Sequence, residues 1–218
     1  MSHASSAGLP RGKRLPRLAE WLDWSERFLV LALYAWLVAR LLGAYVTKGS
    51  LVDLMLLPSE GLVVFLMLIR RRPRDISPRP GDWILALGAT TAPLLANPAL
   101  ERALLSPPVG ATIMLMGMLV QVHAKLALGR SMGCVAAHRG LRFCGPYQYV
   151  RHPMYLGYLL THVGFLLMNP SLGNLGVYAL CYSLQVPRLL AEERLLRQDP
   201  LYLEYAGRVR YRLIPGIF

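Results

Sequence analysis

Apolar residues gather into six long runs separated by short polar and basic stretches, a pattern that predicts helices of membrane-crossing type. The runs cover residues 28–46, 51–69, 83–95, 109–128, 154–168 and 175–186, and the third is the weakest. Pro58-Ser59-Glu60-Gly61 near the middle of the second run predicts a kink and a Glu60 turned away from lipid. That carboxylate reads either as the lining of a cavity or as a partner for Arg40, the one charge inside the first run. In the fourth run Gln121, His123 and Lys125 alternate, so they cannot all share one helix face. The sixth run continues through Pro187 into a polar helix over residues 188–198. Ahead of the first run, Trp21 and Trp24 stand among Glu20, Asp23 and Glu26. Residues 19–28 are therefore expected to lie flat at an interface before the chain turns inward.

Composition agrees with this reading. The chain has 218 residues, of which 55% are hydrophobic and 17% charged, whereas soluble domains sit near a quarter charged. The expected fold class is an all-α integral membrane protein with about six transmembrane helices. Net charge is +12, but the cations fall between apolar runs rather than on one continuous face, so nucleic acid is excluded as the partner and an anionic lipid surface fits. Four segments are basic: the tail with Arg11, Lys13, Arg14 and Arg17, the loop from Arg70 to Arg79, the connection from Arg130 to Arg151, and the C-terminal tail. The intervening connections carry Lys48 with Asp53, Glu101 with Arg102, and an uncharged turn. The positive-inside rule then places both termini in the cytoplasm. The apolar run lies too far from the start, and continues past Arg40, to read as a signal peptide. Three parts follow: a basic tail and interfacial segment (1–27), four membrane helices (28–128), and a C-terminal region (129–218). Cys134, Cys144 and Cys181 show no CxxC spacing, so no disulfide framework and no metal site is implied.

One stretch concentrates the polar chemistry: Gly145-Pro146-Tyr147-Gln148-Tyr149-Val150-Arg151-His152-Pro153-Met154-Tyr155-Leu156-Gly157. Proline bars a helix interior near Pro146 and is tolerated in a first turn, where Pro153 falls. A loop therefore delivers polar groups to the start of a membrane helix. The residues read equally as a headgroup-level aromatic belt or as half of a site. The second half would be Arg188 with Glu192-Glu193, because an antiparallel helix pair returns its far end beside its start. Aromatic faces and carboxylates together suit a cationic ligand, and guanidinium groups suit a carboxylate.

These residues carry a resemblance. The stretch above, preceded by Leu128-Gly129-Arg130 and His138-Arg139-Gly140-Leu141, resembles the isoprenylcysteine carboxyl methyltransferase and phospholipid methyltransferase family. Arg188, Glu192-Glu193-Arg194-Leu195-Leu196, Tyr202, Tyr205 and Arg212-Leu213-Ile214-Pro215 resemble it as well. The likeness covers roughly residues 126–218. It implies an integral membrane enzyme that transfers a methyl group from S-adenosylmethionine to a lipophilic acceptor (a carboxyl, thiol or amine) and that lacks a glycine-rich nucleotide fingerprint. By motif match it implies cofactor binding at Tyr147, His152, Tyr155, Gly157, Glu192 and Glu193, with Arg151 and Arg188 near the reacting groups. Methyl transfer from a sulfonium is an in-line displacement that needs alignment and exclusion of water more than a strong base. Two other readings stay open: a membrane reductase of the sterol-reductase type using NADPH, and a non-catalytic membrane protein.

Overall fold

The computed structural model describes residues 17–48, 51–97, 104 and 106–218; most of the expected basic tail and of the connection after the third run lies outside them. Among the described residues, seven α-helices follow in order: α1 (Arg17–Lys48), α2 (Leu51–Ile69), α3 (Pro80–Thr91), α4 (Pro107–Leu128), α5 (Pro153–Met168), α6 (Leu172–Leu196) and α7 (Pro200–Arg208). A two-residue antiparallel ladder joins β1 (Asp75–Ile76) to β2 (Ala137–His138), with Asp75 opposite His138.

Of the described helices, α1 and α4 are long and apolar enough to cross a membrane. Large side chains such as Phe28, Trp36, Phe65, Met116 and Leu119 are exposed, as lipid-facing residues would be. The third run is shorter than a span. Its α-helix has 12 residues, which rise roughly 18 Å against a hydrocarbon core of about 30 Å. It ends in a 3-10 turn, Ala92–Leu95. Proline initiates α3, α4, α5 and α7 within their first turns, where its missing N–H costs nothing. The Ser171 hydroxyl caps α6 by accepting from the Asn174 amide at 3.0 Å.

Three expectations change. Residues 19–28 do not form a separate flat segment; they are the opening turns of α1 and run unbroken into the apolar stretch. Trp21 and Trp24 face outward, while Asp23 and Glu26 are buried. Arg70 does not belong to a solvated basic loop. It is buried between those two acids, 2.6 Å from Asp23 and 2.9 Å from Glu26. Glu60 lies 4.0 Å from the buried Lys125, while the Arg40 guanidinium sits over the Trp36 ring. The alternation in α4 resolves as expected: Gln121 and Lys125 face inward and His123 outward. Lys125 Nζ donates to Ser59 Oγ at 2.6 Å and to Gln121 Oε1 at 3.2 Å, so this buried ammonium is solvated by α2 and its own helix.

Helix α5 packs along α4, and α6 packs along α3; α5 and α6 themselves scarcely touch. Glycine decides the first pairing. A β-carbon on Gly157 would stand 2.6 Å from the Gln121 amide nitrogen and 2.7 Å from the Gly117 carbonyl oxygen. One on Gly164 would meet the Met114 amide nitrogen at 2.8 Å. Spaced seven residues apart, these glycines recur on one helix face and let two backbones meet, the small-residue packing used where lipid offers no hydrophobic drive.

Candidate active site

Residues 129–152 leave α4 and wrap under the bundle before α5 begins. Gly145, at φ 61°, occupies the left-handed region that glycine adopts without penalty, and turns the chain into a 3-10 segment, Gly145–Gln148. That segment buries Tyr147, whose carbonyl accepts from the Tyr205 hydroxyl of α7 at 2.7 Å. The C-terminal tail completes the floor: the Arg151 and His152 amides donate to the Tyr211 and Arg212 carbonyls at 2.9 and 2.8 Å.

Between the wrapped loop, the start of α5, the end of α6 and α7 lies a cavity of about 760 Å³, part of it open to solvent. Tyr147, Arg151, His152, Tyr155 and Glu192 line it, so five of the eight expected site residues come together. Glu192 is half-buried and accepts from the Tyr155 hydroxyl at 3.1 Å. The carboxylate thus has a remaining oxygen for a ligand. The His152 and Tyr155 rings meet edge-on, with centroids 5.6 Å apart.

The other three do not line the cavity. Gly157 belongs to the α4–α5 contact described above, one turn further into the bundle. Glu193 projects from a different face of α6, about 100° round the helix from Glu192. Its buried carboxylate is taken up by Arg151 at 2.8 Å, His152 at 3.2 Å and Arg212 at 3.0 Å, with the Arg197 guanidinium at 3.5 Å. Burial alone pushes this carboxyl up. The His152, Arg212 and Arg151 donors outweigh that and hold it down at about 2. Arg188 is buried behind Tyr155, its guanidinium 5.7 Å from that ring, and donates to the Cys134 carbonyl at 2.8 and 3.2 Å.

Several lining residues lie outside the eight expected from the sequence. Phe143 stacks on Tyr205 with centroids 4.4 Å apart, and Tyr202 joins them on the same wall. Burial pushes both α7 phenols up, so these side chains offer neutral aromatic faces. Arg139 and Cys134 also line the cavity. A helical spacing of tyrosines after Asp199-Pro200, an N-cap followed by a first-turn proline, was the available signal for α7. The Asp199 carboxylate caps that helix through the Leu201 amide at 2.9 Å and also meets His138 at 2.9 Å.

Residues 106–199 match the family model of phospholipid methyltransferases, the stretch that holds the loop, α5 and both glutamates. Among solved structures, a eukaryotic intramembrane Ras methyltransferase, isoprenylcysteine carboxyl methyltransferase, is 19% identical. The alignment covers 92% of this chain and 84% of that one, at a TM-score of 0.49. No curated protein matches the chain. The family match over this stretch supports a membrane methyltransferase.

Proposed function

We propose that the protein transfers a methyl group from S-adenosylmethionine to a lipophilic acceptor held among its helices. The observation that carries this reading is the cavity lined by both motif halves, with Glu192 facing in beside Tyr147, Tyr155 and His152. The donor set fits the cofactor. A carboxylate with a free oxygen suits an ammonium group, aromatic faces tolerate a sulfonium, and Arg139, Arg142 and His152 supply cationic or donor groups for a carboxylate.

When bound, S-adenosylmethionine supplies an electrophilic methyl on a positively charged sulfur. Glu192, oriented by the Tyr155 hydroxyl, holds the amino group. The Phe143, Tyr147, Tyr202 and Tyr205 rings exclude water around the transfer path, which favours displacement over hydrolysis. Glu193 does not contact the ligand; it draws Arg151, His152 and the tail against α6 and so closes the floor. Arg188, on the far side of Tyr155, orients the acceptor, which enters sideways from the bilayer. About six crossings, the third a short one made by α3 with its 3-10 extension, and both termini and the cavity in the cytoplasm complete the proposal, with residues 129–218 as the catalytic part and residues 28–128 as the lipid-embedded part.

Equilibrium binding to detergent-solubilised protein tests it. Affinity for S-adenosylmethionine and S-adenosylhomocysteine supports methyl transfer, NADPH binding alone turns the reading to a reductase, and binding of neither leaves a non-catalytic membrane protein. The exposed Cys144 tests the topology: an impermeant maleimide should label it in inside-out vesicles and not in right-side-out ones. The reverse pattern would invert the proposed orientation.

A further inference from the structure

The family match begins at residue 106, yet the deepest tie to the cavity loop comes from α1. The Glu26 side chain is fully buried. One of its oxygens accepts from two successive backbone amides, Cys134 at 2.7 Å and Val135 at 2.9 Å. The other meets Arg70 at 2.9 Å and Arg139, which also donates to the Val135 carbonyl at 3.4 Å. Cys134, Val135 and Arg139 all line the cavity. The Cys134 residue is gripped on both sides, its N–H by Glu26 and its carbonyl by the Arg188 guanidinium. Asp23, one turn earlier on α1, pairs with Arg70 at 2.6 Å and lies 3.9 Å from Arg139, but the Cys134 and Val135 amides donate to Glu26 and not to it.

We propose that Glu26 is a positioning residue for the cofactor cavity: from the first helix it sets the Cys134–Val135 peptide and Arg139, and through Cys134 it sets Arg188. The physical reason is that a buried carboxylate accepting two amides and facing two guanidinium groups has nowhere else to go. Charge-assisted hydrogen bonds are the strong ones, and removing the acceptor strands every donor in a dry site. The site thus has a third part, contributed by a helix outside the matched stretch. This inference rests on the methyltransferase reading for its ligand but not for its geometry.

Hydrogen–deuterium exchange on the wild-type protein tests the geometry first. The Cys134 and Val135 amides should be strongly protected without any ligand; fast exchange would overturn the proposal. Binding of S-adenosylhomocysteine then tests the consequence. Glu26→Met, equal in length but without an acceptor, should raise Kd about tenfold or more. Glu26→Gln keeps an oxygen for the two amides and should restore most of that loss. Asp23→Asn disturbs the same charge cluster, Arg139 included, but leaves the two amides their acceptor, and should raise Kd far less than Glu26→Met. Equal weakening by Glu26→Met, Glu26→Gln and Asp23→Asn, in step with lost thermal stability, would make the residue merely structural and overturn the proposal. Absence of binding in the wild type removes the methyltransferase reading, while exchange at Cys134 and Val135 still decides for or against Glu26 as the residue that holds them.

Discussion

Two buried carboxylates hold the cavity from opposite sides, and their surroundings differ. Glu193 meets side chains of the wrapped loop, of the end of its own helix and of the C-terminal tail: Arg151, His152, Arg197 and Arg212. Glu26 reaches across more than a hundred residues to backbone amides and to Arg139. The first clamps cations, and the second accepts the chain itself. Neither lines the cavity, yet both hold residues that do. Paired acidic residues in a motif therefore need not act alike, since Glu192 faces the cavity and Glu193 faces its scaffold.

The sharpest way to break this comparison is Glu193→Ala. It strands Arg151, His152 and Arg212, and loss of one partner from a buried ion pair costs about 3–5 kcal/mol. Thermal unfolding in detergent should show a large drop together with lost cofactor binding; a stable variant with weakened binding would return Glu193 to the ligand's contacts. Gly157→Ala comes next. Its methyl would meet backbone atoms of α4 under 3 Å away, and overpacking of this kind costs about 1–3 kcal/mol. Stability should fall while Kd for S-adenosylhomocysteine holds in the folded fraction. Unchanged stability would show that α4 and α5 do not meet so closely.

Glu192→Gln should do the converse, leaving unfolding unmoved and weakening S-adenosylhomocysteine binding by about tenfold or more, the worth of one charge-assisted hydrogen bond. Tyr155→Phe removes only the hydroxyl that orients Glu192, and a few-fold rise in Kd is expected. A titration sharpens the contrast last. Because the folded Glu193 carboxyl is held at about 2 against an ordinary 4.5, its stabilising share is complete above the ordinary value. That share fades as pH falls through the folded one. The stability gap between wild type and Glu193→Gln should hold down to about pH 4.5 and shrink below it; a gap that closes near neutrality would mean that the clamp is not formed.

Much of the helical layout was legible because burial in lipid demands uninterrupted apolar runs, and proline, glycine and charge mark their ends. The start of α5 at Pro153, the passage of α6 through Pro187 and the alternation at Gln121, His123 and Lys125 could all be read that way. The extent of α1 could not, since Asp23 and Glu26 look like solvated interface residues until Arg70 and Arg139 are seen beside them. Gly157 is expected at the site by motif match, while the close approach of α4 to it is a constraint that no local pattern announces. The tyrosines of α7 were visible as a cluster, while their role as a cavity wall depends on Phe143 lying opposite.

Sequence alone determined the order of the main helices and several of the polar groups that meet at one end of them. Apolar periodicity and the proline, glycine and charge marks at helix ends suffice for that, because each is a local property of the chain. Tertiary structure decided the division of labour. Which of Glu192 and Glu193 faces the cavity depends on the rotation of α6 against α3. That Glu26 belongs to the site depends on α1 being packed against the loop from Cys134 to Arg139. Those are orientations of rigid elements about one another, fixed by side chains distant in sequence, and they exist only once the helices have packed.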